Sequence, residues 1–272
     1  MSTVLVIGAT GRTGRHIVTG LLAAGVTVRA LVRTPDLANL PADVELVAGD
    51  LQDPAAVRRA AAGADAAFLL WPWFSSEGAA AVVAELPRRV VYLSTLGGGG
   101  FWGEIEELLK DRDWTFVRPS GFAVNTLSWA EQIRTGVVRI PYPKAARSLI
   151  HERDIAAVAV LTLVGDHHIG KSYELTGPEA ITQEDQVATI AEVVGRPIRV
   201  EELTDDEARQ EMLAQGADAL LADSAVTYWS SLVITPEPVT TTVATLTGRP
   251  ALTFATWARD HAADFEGVQN NG

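Results

Sequence analysis

Val4-Leu5-Val6-Ile7-Gly8-Ala9-Thr10-Gly11-Arg12-Thr13-Gly14 is the stretch on which the fold of this chain turns. Four apolar residues run unbroken into a glycine, the pattern of a strand buried on both faces of a parallel sheet. From residue 12 to 24 the apolar positions Ile17, Val18, Leu21 and Leu22 recur at helical spacing, and Gly25 stops the helix. Gly8 permits a tight turn, Gly11 lets backbone approach a pyrophosphate, and Gly14 lets the helix pack close to the strand. The start of a helix adds N–H groups and a partial positive charge suited to phosphate. Such glycine spacing also occurs in ordinary turns. Here it stands between a strand and a helix, the context a nucleotide-binding loop requires.

The alternation continues outward. Strands are expected at residues 26–32, 44–47, 66–70, 90–93 and 114–117, with helices at 54–62 and 102–110. Strands and helices in regular succession predict an α/β, Rossmann-type doubly wound parallel sheet. Further on, helical patterns at 127–136, 154–164, 182–194, 204–232 and 253–263 mix with strand patterns at 137–140, 171–175 and 198–202. These predict a smaller C-terminal α/β substrate lobe. The nucleotide-binding domain is read as residues 1–125 plus 145–175, the lobe as 126–144 and 176–265, and 266–272 as a flexible tail.

Composition narrows the function. The chain has 272 residues, enough for a large core, with 47% hydrophobic and 21% charged residues. Its formal net charge of -12 disfavours a nucleic-acid partner, which needs a concentrated positive field. There is no cysteine, which excludes disulfides and thiolate chemistry. Met1-Ser2-Thr3 carries no basic region and residues 4–7 are too few for a membrane span, so a cytoplasmic protein without membrane association is expected, as a monomer or homodimer.

The second strand refines the ligand. A site selecting NAD usually has an acid near its end for the ribose hydroxyls. This one reads Val28-Arg29-Ala30-Leu31-Val32-Arg33, with no acid. Arg33, with Arg12 in the loop, can hold a 2′-phosphate, so the expected cofactor is NADP(H); the alternative is two solvated arginines. Asp50 can accept from an adenine amino group. Leu70, Trp71 and Pro72 follow the fourth strand, where their backbone would lie near the ribose and nicotinamide. Trp71 and Trp73 either wall a flat substrate or belong to the core or an interface.

Taken together, Gly8 to Gly14, Arg33, Gly49-Asp50, Val91-Tyr92-Leu93-Ser94, the run Trp114-Thr115-Phe116-Val117-Arg118-Pro119-Ser120-Gly121-Phe122 with Asn125, His151-Glu152-Arg153-Asp154-Ile155-Ala156 and Tyr173-Glu174-Leu175-Thr176-Gly177-Pro178 form a pattern over residues 3–200. It resembles the NmrA-like branch of the atypical short-chain dehydrogenases/reductases. That family includes reductases of quinones and carbonyl compounds, and regulators that sense NADP without turning it over. The resemblance implies that Pro119, Ser120, Gly121 and Phe122 approach the nicotinamide end of the cofactor. Asn125 and Trp129 would lie towards the substrate, although Asn125 can instead cap a helix.

The wider superfamily uses a Tyr-x-x-x-Lys pair as proton donor. After Ser94 this chain reads Gly97-Gly98-Gly99-Gly100-Phe101-Trp102-Gly103-Glu104-Ile105-Glu106-Glu107, with neither residue at that spacing. The glycines are read as a short flexible loop. Ser94 and Thr95 can polarise a carbonyl through their hydroxyls, and Glu106, where the helix would face the cleft, is either catalytic or a solvated helical glutamate, the latter reading being preferred. His151 is expected to be structural, and His167-His168 an exposed turn without a metal. Met212, Leu213, Leu220, Tyr228 and Trp229 either line a substrate cavity or form the lobe's core. The leading expectation is an NADPH-dependent reductase of a small planar organic substrate, a quinone or aromatic ketone. A non-catalytic NADP-binding sensor is the alternative, and a cofactor-retaining isomerase or epimerase is a weaker one, since no positioned base is visible. Arg33→Asp is predicted to weaken NADPH binding at least ~10-fold more than NADH binding in fluorescence titrations, the scale of a lost charge-assisted hydrogen bond; equal losses would contradict the assignment of the 2′-phosphate.

Overall fold

The computed structural model describes residues 2–266; the tail read from the sequence lies outside them, apart from Glu266. Along the chain, β1 (Thr3–Ile7), α1 (Arg12–Ala23), β2 (Thr27–Val32), β3 (Glu45–Ala48), α2 (Pro54–Ala61), β4 (Ala66–Leu70), α3 (Ala79–Glu85), β5 (Arg89–Leu93), α4 (Gly100–Leu109) and β6 (Asp113–Pro119) alternate as expected. There follow α5 (Ala130–Thr135), β7 (Val137–Pro141), β8 (Ala146–Arg147), α6 (Glu152–Val164), β9 (Lys171–Leu175), β10 (Ile181–Thr182), α7 (Gln183–Val194) and β11 (Arg199–Leu203). The last helices are α8 (Asp205–Ala214), α9 (Ala219–Ile234), α10 (Thr242–Thr247), α11 (Phe254–Asp260) and α12 (Ala262–Glu266). None of them is long and apolar enough to cross a membrane.

Two compact units divide the chain. One runs through Pro119 and takes in Glu152–Leu175 and Thr242–Pro250; the other comprises Ser120–His151, Thr176–Thr241 and the chain from Ala251. The first is a Rossmann-like α/β fold. Its sheet has the order β3-β2-β1-β4-β5-β6-β9, with every neighbouring pair parallel. Chain direction across the sheet reverses between β1 and β4, and open α/β sheets bind ligands beyond the carboxyl ends of their strands at such a point. Leu5, Leu69, Tyr92, Ile105 and Phe116 anchor a core on one face.

The divisions at Pro119 and Glu152 stand beside expected boundaries at 125 and 145. Residues 242–250, read from the sequence as lobe, belong to the first unit. There Val243 is buried, and Arg249 Nη1 lies 2.7 Å from Oδ1 of Asp154, a buried acid on α6. Helix α3 went unread because Ala79, Val82 and Val83 are its whole buried face, too few apolar positions to show a period. The turn at His167-His168 is not exposed throughout. His168 is buried with Nδ1 2.7 Å from the Tyr173 hydroxyl, and burial lowers its imidazole below the usual range.

In the second unit β7 pairs parallel with β11, and β8 antiparallel with β10. Helix α7 starts on a Thr182 side-chain cap, and α8 on the expected Thr204–Glu207 capping box. The final helical stretch, expected unbroken over 253–263, breaks at His261 into α11 and α12. The break lets Phe265 turn back on the fully buried Trp257, with ring centroids 5.9 Å apart, while Phe254 flanks the indole at 5.1 Å. Trp257→Ala should therefore lower the unfolding free energy by about 3–5 kcal/mol in denaturant titrations; a loss below 1 kcal/mol would contradict this view of the core.

Candidate functional site

The loop after β1 is held by one close approach. Gly8 is left-handed, with φ +85°, and its carbonyl accepts from the Gly11 N–H at 3.0 Å. A Cβ on Gly14 would lie 2.0 Å from that carbonyl oxygen, so only glycine lets α1 begin so near the strand. Gly11 stands at the N-cap with no side-chain cap, and the first turn of α1 holds no acid. The positive helix end is thereby kept for an anion from outside. Thr13 is buried, whereas Thr10, Gly11 and Arg12 are exposed around it. These residues fit the pyrophosphate of a dinucleotide.

Arg15, which the sequence reading passed over, braces this loop. Its Nε donates to the Thr10 carbonyl at 3.1 Å, its Nη2 to that of Ala38 at 3.0 Å, and its Nη1 to that of Asn39. One guanidinium thus ties the phosphate loop to the segment after β2. No sequence signal separates such an arginine from a solvated one.

The other expected cofactor residues follow the carboxyl ends of neighbouring parallel strands, along the same edge of the sheet. Arg33 is exposed just beyond β2. Asp50, beyond β3, accepts from the Gln52 N–H at 2.9 Å in a local turn and stays exposed. Leu70, which ends β4, lies against Gly8. Trp71 is core and not a wall: it is buried, and its indole N–H donates to the Ser75 carbonyl at 2.6 Å. Trp73 meets it edge to face at 4.8 Å and is partly buried on the same core, while Pro72 between them is exposed.

Beyond β5 lies a buried charge network. Glu106 is only 3% exposed, which corrects the reading of a solvated glutamate. Its Oε1 accepts from Ser94 Oγ at 2.6 Å and from Arg118 Nε at 2.8 Å, and its Oε2 pairs with Arg118 Nη2. A carboxylate excluded from water needs such partners. The Ser94 hydroxyl proton is therefore directed at Glu106 and not at a substrate. Tyr92 is no substitute acid. It is wholly buried, and burial, then the charge of Glu106, pushes its phenol far above the ordinary value. Thr95 is half-buried and makes no side-chain cap to the turn that follows. The glycines expected as a flexible loop form a 3₁₀ turn at Leu96–Gly98 and the start of α4, with positive φ at Gly97, Gly98 and Gly100.

Pro119 closes β6 in the first unit, while Ser120, Gly121, Phe122 and Asn125 belong to the second. Ser120 is buried, and its hydroxyl donates to the Ser148 carbonyl. Gly121 leaves room for a neighbour within its own unit: a Cβ there would lie 2.4 Å from Arg147 Cζ, so a side chain would displace the guanidinium. Asn125 sits inside a 3₁₀ stretch, Ala123–Trp129, and caps no helix. Phe122 and Asn125 line a cavity of about 320 Å³, the lower end of the range for small-molecule sites. Trp129, Met212 and Trp229 give it apolar walls, and Gln183 and Gln186 give it amides. Of the other residues expected there, Leu220 is 78% exposed and belongs to neither cavity nor core. Leu213 and Tyr228 do not line it. His151 is buried with Nε2 3.2 Å from Asp260 Oδ2, a structural setting. Among the described residues no group of three or more His, Cys, Asp or Glu side chains gathers as a metal site.

A family model described as NAD(P)H-binding matches residues 8–99. The chain is 40% identical to a (4-alkanoyl-5-oxo-2,5-dihydrofuran-3-yl)methyl phosphate reductase of Streptomyces griseus, over 96% of this chain and 99% of that protein. It is 34% identical to an NAD(P)H azoreductase of Xenophilus azovorans, over 96% and 99% respectively. An NADPH-dependent quinone oxidoreductase of Escherichia coli, solved with NADPH, has the same fold, with a TM-score of 0.78 at 22% identity over 94% of this chain and 99% of that one.

Two substitutions probe the geometry. Gly14→Ala should weaken NADPH binding at least ~10-fold in calorimetric titration, because 1.4 kcal/mol of displaced loop contacts already amounts to that factor; unchanged affinity would contradict the close approach. Arg118→Met strands the Glu106 carboxylate and should cost about 3–5 kcal/mol of stability. The Arg118→Met, Glu106→Leu double variant should recover most of that loss in the same denaturant titration.

Proposed function

The chain belongs to the NAD(P)H-binding family of these two reductases, and on that premise we propose that it reduces a small, planar, conjugated acceptor, a quinone or related aromatic ketone, with NADPH. Within the family we assign it to the NmrA-like branch of the atypical short-chain dehydrogenases/reductases. The observation that carries the reading is the cavity of about 320 Å³, lined by two tryptophans and a methionine together with several amides and the charged side chains of Arg139, Arg147 and Glu211, in a chain whose first unit carries a glycine-tightened phosphate loop. Flat aromatic walls with a few hydrogen-bonding groups suit a planar molecule with polar edges.

Each part of the chain has a task in this scheme. Gly8, Thr10, Gly11, Thr13 and Gly14 hold the pyrophosphate at the amino end of α1. Arg12 and Arg33 grip the 2′-phosphate and favour NADPH over NADH. Asp50 meets the adenine, and the backbone of Leu70, Trp71 and Pro72 runs beside the ribose. Ser94, Pro119, Ser120, Gly121 and Phe122 border the nicotinamide end through backbone and carbon atoms, since both serine hydroxyls are already engaged within the protein. When bound, the dihydronicotinamide supplies a hydride. Thr95 and Asn125 orient the acceptor by hydrogen bonds, and the cavity walls strip water from its faces.

For a quinone or a conjugated enone no positioned acid is needed, since conjugation spreads the charge left by hydride addition and water can supply the proton afterwards. An aromatic ketone, whose alkoxide forms on a saturated carbon, should turn over more slowly than a quinone. The chemistry rests on orientation, for which a near-attack geometry of about 3–3.5 Å is required. An isolated ketone, whose alkoxide needs immediate protonation, should be a poor substrate.

A panel of quinones, aromatic ketones and simple aliphatic ketones, with loss of NADPH absorbance as the readout, tests this reading. Quinones are expected to turn over at least ~10-fold faster than aliphatic ketones, a difference of about 1.4 kcal/mol in barrier. Tight NADPH binding with no oxidation across the panel would instead identify a sensor of the cofactor.

A further inference from the structure

The second unit carries a charged cluster that the scheme above leaves unused. Arg147, at the end of β8, lines the cavity. Its Nε and Nη2 each lie 2.9 Å from Glu237 Oε1. Its guanidinium lies against the α-carbon of Gly121, and its Cζ is 5.4 Å from the ring centroids of both Tyr228 and Trp229. Backbone, two rings and a carboxylate thus fix one planar cation in one orientation.

The environment of the pair is asymmetric. The Glu237 side chain is 5% exposed, whereas that of Arg147 is 18% exposed. Glu237 is heavily engaged: besides the guanidinium it accepts from the Ser148 N–H at 3.1 Å and from the Tyr228 hydroxyl. Burial pushes the Tyr228 phenol up to about 12, so it remains a donor in that bond. The carboxylate's charge is spread over several donors within the protein. Neither bond of the guanidinium to Glu237 uses Nη1. A pair serving only to fasten β8 to the chain at residue 237 would not need a cation at the cavity wall, nor a glycine cut away beneath it.

We propose that Arg147 is the residue that binds the acceptor's carbonyl oxygen in this cavity and holds the negative charge that gathers there, which makes the protein selective for conjugated carbonyl compounds over acceptors lacking that oxygen. The inference rests on the reading that the cavity receives the acceptor. In an unsaturated carbonyl the β-carbon takes the hydride with its electron pair. The carbon–carbon π pair moves into the bond to the carbonyl carbon and the carbonyl π pair moves onto oxygen, giving an enolate that a proton from water neutralises. In a quinone the hydride, which brings a hydrogen with its electron pair, and one proton from water give the hydroquinone. A fixed guanidinium beside the oxygen stabilises the charged stage more than the neutral ground state, which is the condition for a rate effect. Arg147 would take over electrostatically what the missing Tyr-Lys pair does by proton donation.

The test needs no turnover. An anionic hydroxynaphthoquinone carries its charge on the quinone oxygens, and its neutral methyl ether does not. Both are titrated against the whole protein without NADPH, following quenching of tryptophan fluorescence, to which Trp229 contributes from the cavity wall. The protein should bind the anion ~10-fold or more tightly than the ether, the scale of one charge-assisted hydrogen bond. Arg147→Met should abolish that preference while ether binding persists. The Arg147→Met, Glu237→Gln double variant, which leaves no stranded buried charge, should behave alike if the single variant folds poorly. In turnover, the same variants should lose far more rate with a quinone than with an azo dye that has no carbonyl. A preference for the anion that survives both variants overturns the role of Arg147 alone. Failure of the unmodified protein to bind either compound overturns the reading of the cavity, and the inference with it.

Discussion

The contact between Gly14 and the carbonyl of Gly8 is the constraint on which the first unit depends. With no side chain at residue 14, the amino end of α1 seats within van der Waals distance of the end of β1. That closeness brings the helix's positive end to the carboxyl edge of the sheet, at the strand where the chain direction reverses. A helix start usually gains about 1 kcal/mol from a Ser, Thr, Asp or Asn cap. Here Gly11 forgoes it, and no acid occupies the first turn. The stabilisation the helix lacks is available to a phosphate that binds there. Arg15 then fastens the loop to the segment after β2, so the two stretches that carry Arg12 and Arg33 are held by one side chain.

A second constraint lies beyond β5, on the strand end that carries Ser94. A buried carboxylate, Glu106, takes a serine hydroxyl and a guanidinium as its partners. The three groups satisfy one another, which stabilises the strand ends but withdraws Ser94 from chemistry. The nearby tyrosine is sealed in the core with its phenol held protonated. The proposed acceptors, which tolerate late protonation, ask for no proton from either of these two residues.

The first unit was legible because its signals are local and periodic. Buried parallel strands are short apolar runs, and β4 and β9 begin and end where the pattern does. The phosphate loop announces itself through glycine, whose spacing reflects a steric requirement at the backbone. What stayed hidden depends on partners distant in sequence. Glu106 reads like any helical glutamate until Arg118, twelve residues on, is seen to face it. Arg147 and Glu237 are ninety residues apart. The guanidinium of Arg147 beside Gly121, twenty-six residues on, gives that glycine a neighbour no local pattern reports. Trp71 is open to more than one reading in the sequence because an indole suits a core as well as a cleft; its burial among the core side chains decides for the core. Residues 242–250 pack in the first unit through buried Val243 and an ion pair with a buried aspartate, neither of which a periodicity reports.

The central claim is that the chain delivers a hydride from NADPH directly to a conjugated carbonyl acceptor. The most direct measurement uses NADPH deuterated on one or the other face of the nicotinamide ring, with an unsaturated lactone as acceptor and mass spectrometry of the product. A bound cofactor presents one fixed face to the acceptor. One deuterium should therefore enter the product carbon from one labelled form and none from the other. Product carrying no deuterium from either form, or equal amounts from both, would contradict the account.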